Sequence, residues 1–100
     1  MTIAIKVYKS YRIVVAACDS ELLGKKFEEG IKQLDVRESF YKGIEVSEEE
    51  AIKVMQFQFR EDATFNIVGE NAINTAIKAG VIEQETVGKI QGIPFALKLL

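Results

Sequence analysis

A chain of 100 residues, 48% hydrophobic and 28% charged, is long enough for one hydrophobic core and too short for two. It has no histidine and a single cysteine, Cys18, which excludes histidine triads, imidazole metal sites and any internal disulfide. The net charge of −2 excludes a surface that is basic all round, so nucleic acid could be held only by a local patch.

The charge is distributed unevenly. Residues 1–42 carry eight basic and six acidic side chains, whereas residues 43–100 carry five and nine. No run approaches the roughly 18 apolar residues of a membrane helix, and the amino terminus does not read as a signal peptide. An unpaired cysteine without an export signal predicts a cytoplasmic protein.

In chain order, Ile3, Ile5 and Val7 alternate with Ala4, Lys6 and Tyr8, the period-two pattern of a half-buried strand. The segment Ile13–Cys18 is apolar on both faces and predicts a second strand, hairpin-paired with the first and covered twice. Asp19 and Ser20 are expected as N-caps of one helical turn, Glu21-Leu22-Leu23, ended by Gly24. From Lys25 to Lys42 no single period fits. A partly irregular connection is expected, with a short strand near Lys32–Val36 and with Phe27, Ile31, Leu34 and Val36 turned inward.

Ser47-Glu48-Glu49-Glu50 is a capping box, and its glutamates suit the positive end of a helix dipole. The helix it opens should bury Ala51, Ile52, Met55 and Phe59 and end between Gln56 and Arg60. A clearer helix is predicted from about Glu70 to Ala79, stopped by Gly80, with Val68, Ala72, Ile73, Ala76 and Ile77 as its buried stripe. Its start reaches back to near Ala63 if Gly69 is tolerated inside it; in the alternative reading Asn66 caps the helix and Gly69 permits a close approach between elements. A last strand around Phe95, Leu97 and Leu99 follows a turn at Gln91-Gly92, with Pro94 at its start or on an edge. The expected architecture is α+β in a single domain over residues 1–100: a small sheet from the N-terminal hairpin and C-terminal strand, with two helices on one face.

Little in this chain resembles reaction chemistry. Leu23-Gly24-Lys25-Lys26-Phe27 lacks the second glycine and the Ser/Thr of a phosphate-binding loop. Cys18 ends an apolar strand, and packing explains it better than catalysis. The pairs Glu28-Glu29 and Glu48-Glu49-Glu50 read as a solvated turn and a helix start, so no metal, cofactor or catalytic residue is assigned. Lys9, Tyr11, Arg12, Lys25 and Lys26 combine phosphate-neutralising charge with an aromatic able to stack on a base, provided that the chain brings them together. Phe40-Tyr41-Lys42-Gly43 sets two aromatics beside a glycine.

Several of these segments, taken in order, resemble the archaeal family known as domain of unknown function 424. They are Val14–Asp19, Glu21–Lys25, Phe40-Tyr41-Lys42-Gly43, Ser47–Glu50, Asn66-Ile67-Val68-Gly69-Glu70 with Ala72, and Gly92-Ile93-Pro94. The segment around Gln56–Glu61 departs from the family pattern. The signature positions are Tyr41, Gly43, Asn66, Gly69 and Glu70, none with a known catalytic role. The resemblance implies an archaeal cytoplasmic protein, and the family's association with translation genes favours an RNA- or ribosome-linked role.

Three readings follow. The first is a non-catalytic module binding RNA or the ribosome, without sequence-specific DNA binding or membrane contact, in which Lys25 and Lys26 would be needed for binding. The second is a self-associating interaction domain using Phe57, Phe59 and the C-terminal strand. A small enzyme without histidine chemistry comes last.

Overall fold

The computed structural model describes residues 2–99, so Met1 and Leu100 lie outside it. The expected hairpin forms: β1 (Ile3–Lys9) pairs antiparallel with β2 (Ile13–Asp19) along seven residues of each strand. The sheet around it is larger than the sequence predicts. With β5 (Ile44–Val46), β6 (Thr64–Val68), β7 (Gly88–Ile90) and β8 (Ile93–Lys98), it has six strands in the order β5-β1-β2-β6-β8-β7. Strands β2 and β6 run parallel, and the other pairings are antiparallel.

The largest correction concerns β6. Residues from Ala63 onward do not extend the following helix. Thr64-Phe65-Asn66-Ile67-Val68 is a central strand, and Asn66 lies within it, so it caps nothing. The local pattern agrees, since Phe65 and Ile67 share one face and are buried. A five-residue apolar strand beside a strong helix is easily read as that helix's first turn.

One face of the sheet carries α2 (Glu48–Arg60) and α3 (Glu70–Ala79), as expected. Ile5, Val15, Ala17, Phe65, Ile67 and Ala96 face Ala51, Met55, Ala72, Ile73 and Ala76 in the main core. In α2, Phe59 is 41% exposed and Gln58 is buried in its place, so the inward stripe sits slightly off the predicted one. The capping box forms. Ser47 Oγ accepts from the Glu50 amide at 3.3 Å, and Glu50 Oε1 accepts from the Ser47 amide at 3.4 Å. Ser47→Ala should therefore cost about 1 kcal/mol. An unchanged urea midpoint would show that the cap does not contribute.

The second face is covered by the stretch expected to be irregular. It folds as a hairpin, β3 (Lys26–Glu29) with β4 (Lys32–Asp35), then a one-turn helix α1 (Glu38–Tyr41). Phe27, Leu34 and Val36 turn inward as predicted, but Ile31 stands at the hairpin tip and is fully exposed. Two-residue turns point their side chains away from both strands, and Ile31 follows Gly30 in such a turn. Under this layer lie Ala4, Ala16, Cys18 and Val68, so β2 is covered on both faces. Gly43 is required where α1 returns to the sheet, because a Cβ there would overlap the Ile5 carbonyl oxygen. Pro94 is the second residue of β8, between β6 and β7 rather than on a sheet edge. Its carbonyl accepts from the Gly69 amide at 2.8 Å, just past the end of β6, where no ladder partner requires its missing N–H.

Candidate functional site

Strands β2 and β6 are parallel neighbours whose continuations part. The chain leaving β2 crosses to the second face through a 3-10 turn at Ser20–Leu22, and the chain leaving β6 crosses to the first face as α3. Such a parting opens a crevice at the carboxyl ends of the strands, where open α/β sheets commonly place ligands. Here Asp19, Glu21, Glu70, Asn71 and Pro94 line a hollow of about 420 Å³. A second hollow of about 230 Å³ lies beyond Pro94, against Asn74, Gln84 and Lys89.

Of the signature positions, Glu70 lines this crevice and Gly69 lies beside it against Asp19, whereas Tyr41 is buried in the second-face core, Gly43 packs against Ile5, and Asn66 lies within β6. The geometry at the crevice is that of a clamp. Helix α3 starts at Gly69, which has φ +107° and no side chain to cap the first turn. The buried Asp19 supplies the cap from the end of β2: Oδ1 accepts from the Ala72 amide at 2.8 Å, and Oδ2 accepts from the Asn71 amide at 3.2 Å and from Asn71 Nδ2 at 3.1 Å. Sequence reading made Asp19 a local cap, but the 3-10 turn receives no side-chain hydrogen bond from it. A glycine directly before a strong helix was the available signal, since an uncapped helix start needs a distant acceptor. A Cβ on Gly69 would lie 2.5 Å from Asp19 Cγ, so the glycine also makes room for the carboxylate. With these donors and the dipole already used by a carboxylate, this helix start does not suit a phosphate.

Cys18 is buried as predicted. Burial and then the neighbouring Asp19 push its thiol up to about 12. Burial and then Cys18 also raise Tyr41 to about 12. Both groups are held neutral, the opposite of what a nucleophile requires. Among the described residues, no group of three Asp, Glu or Cys side chains converges as a metal site.

The predicted nucleic-acid residues fall into two groups. Lys9, Tyr11 and Arg12 lie at the β1–β2 turn, all exposed, with the Tyr11 ring 98% accessible. Lys25 and Lys26 are exposed beyond the opposite end of β2. A seven-residue strand spans roughly 20 Å, so the two groups do not form one patch. Glu61 and Asp62 line the hollow beside Tyr11 and Arg12. Of the residues suggested for self-association, Phe59 lies beside β8, with Lys98 Nζ 5.7 Å from its ring centroid. Phe57, two residues away along α2, projects about 200° around the helix from it.

The order of strands and helices defines an α+β protein with a mixed six-stranded sheet, helices on one face and a hairpin layer on the other. The family model for Protein of unknown function (DUF424) matches residues 8–99, and the chain belongs to that family. It is also similar to the crystal structure of an uncharacterized conserved protein from Methanopyrus kandleri, with 23% identity and a TM-score of 0.87. That similarity covers 97% of this chain and 90% of the other, and it establishes a shared fold. No curated protein matches the chain. No helix among the described residues is long and apolar enough to cross a membrane.

Proposed function

We propose that this protein is a cytoplasmic, non-catalytic binding module that contacts single-stranded RNA through its β1–β2 turn, in a ribosome-linked role. The observation that carries this reading is Tyr11, 98% exposed on a turn between the exposed cations Lys9 and Arg12. An aromatic ring that contributes nothing to the core is free to stack on a base, and the flanking charges can neutralise phosphates. The contact narrows to the turn because Lys25 and Lys26 lie at the other end of β2.

Fluorescence anisotropy with short labelled single-stranded RNAs across a salt series tests the reading. Two neutralised phosphates give a logarithmic salt slope of about −1.4. Tyr11→Ala should remove about 1–3 kcal/mol of binding, while Tyr11→Phe should change little. Replacing Lys25 and Lys26 together by glutamate should leave most of the affinity in place. Absence of binding at low salt, or equal binding by wild type and Tyr11→Ala, would refute it.

A second reading, association of two copies, is favoured by Phe59, Leu97 and Leu99, which are 41%, 58% and 64% exposed around β8. A molecular mass that rises with concentration in sedimentation would support it.

A further inference from the structure

The layer of β3, β4 and α1 covers the Asp19 end of the second sheet face and reaches along β1 to Tyr8, which stacks on Phe40 of α1 at 5.3 Å and donates its hydroxyl to the Phe40 carbonyl at 2.7 Å; towards β6 and β8 it stops short. The strand register identifies what is left there. Tyr8 pairs with Val14 and Val14 with Thr64, while Lys6 pairs with Ala16, Ala16 with Asn66, and Asn66 with Leu97. Paired residues share a face, so these side chains form two adjacent rows across four strands. Leu97 is 58% exposed and Lys6, Val14, Thr64 and Asn66 are half-buried, whereas Ala16 and the neighbouring row, Ala4, Cys18 and Val68, are fully covered and Tyr8 is packed against Phe40.

We propose that this corner of the sheet is the platform on which the RNA continues from the Tyr11 turn, and that Asn66 reads a base there. The inference rests on the RNA reading of the turn and extends it to a second set of residues. Three observations support it. The rows carry Lys6 and no carboxylate, in a chain of net charge −2, so the local charge favours an anionic partner. They are continuous with the turn through Val14, the first residue of this face after Arg12, and Thr64 beside it. Asn66 places two amide donors and a carbonyl acceptor amid Ala16, Thr64 and Leu97. Thr64 Oγ1 is already directed to the Ile13 carbonyl at 3.4 Å. A side-chain amide on an otherwise apolar sheet surface can pair with a base edge, and single-stranded RNA presents its bases in this way.

The test compares anisotropy titrations of labelled oligo-U, oligo-A and oligo-C RNAs with wild type, Tyr11→Ala, Asn66→Ala and Leu97→Glu, each first shown to be folded by its thermal transition. Tyr11→Ala should weaken every RNA to a similar degree. Asn66→Ala should lower the preference for the best base by about tenfold while leaving the weakest nearly unchanged, as expected for loss of one paired base contact. Leu97→Glu should weaken all three by placing a carboxylate on the platform. If Tyr11→Ala weakens binding and the two platform variants bind like wild type, the contact ends at the turn and the platform is refuted while the turn reading stands. If wild type binds none of the RNAs, both fall. If Leu97→Glu alters the sedimentation mass and leaves RNA affinity unchanged, the corner covers a second copy of the chain and the platform is refuted.

Discussion

Gly69→Ala should destabilise this domain by about 2–6 kcal/mol, a large share of the roughly 5–15 kcal/mol available to a small protein. Two costs combine. A backbone at φ +107° and ψ 151° is open essentially to glycine alone, and holding alanine there costs about 1–3 kcal/mol. The new Cβ would lie 2.5 Å from Asp19 Cγ and displace the carboxylate that accepts from the buried Ala72 amide, and an orphaned buried donor costs about 1–3 kcal/mol more. Urea unfolding of Gly69→Ala, Asp19→Ala and the double variant separates these costs. Asp19→Ala alone should cost about 1–3 kcal/mol. In its background Gly69→Ala should cost less, because the clash is gone, but more than zero, because the backbone strain persists. Strict additivity of the two would show that Asp19 and Gly69 do not share a clamp.

Stability should fall between about pH 9 and pH 12, by about 4 kcal/mol from Cys18 alone. The folded chain keeps the Cys18 thiol protonated up to about 12, against an ordinary value of 9.0, and each unit of difference is worth about 1.4 kcal/mol. Tyr41 adds to this in the same direction, from 10.0 up to about 12. Across that window the unfolded chain binds fewer protons than the folded one, so unfolding is favoured as pH rises. Below pH 9 neither group contributes to the pH dependence. Because Cys18 raises Tyr41, their effects should not add fully. Urea midpoints measured from pH 8 to 11 should slope downward, and Cys18→Ala should flatten the part between pH 9 and 10. Wild type with level midpoints across that range would mean that Cys18 is open to water, and rapid thiol labelling of the native protein would agree.

Much of this molecule was determined locally. The β1–β2 hairpin, the capping box at Ser47, the stop at Gly80 and the burial of Cys18 follow from short-range rules, because period, capping geometry and left-handed glycines act within a few residues. The exposed Tyr11 turn was also legible, since a polar break between two apolar strands must leave the surface of the sheet. Tertiary structure decided the rest. Strand β6 is fixed by its pairing between β2 and β8, and its five residues carry too little local preference to separate them from the helix that follows. Asp19 turned from a local cap into the clamp on α3 because its acceptors meet donors more than fifty residues away. Lys25 and Lys26 were separated from Tyr11 by the direction of one strand, and Asn66 was placed beside Leu97 by register between two others. Composition and spacing fix which residues can bond or pack, but only the closed sheet fixes which of them meet.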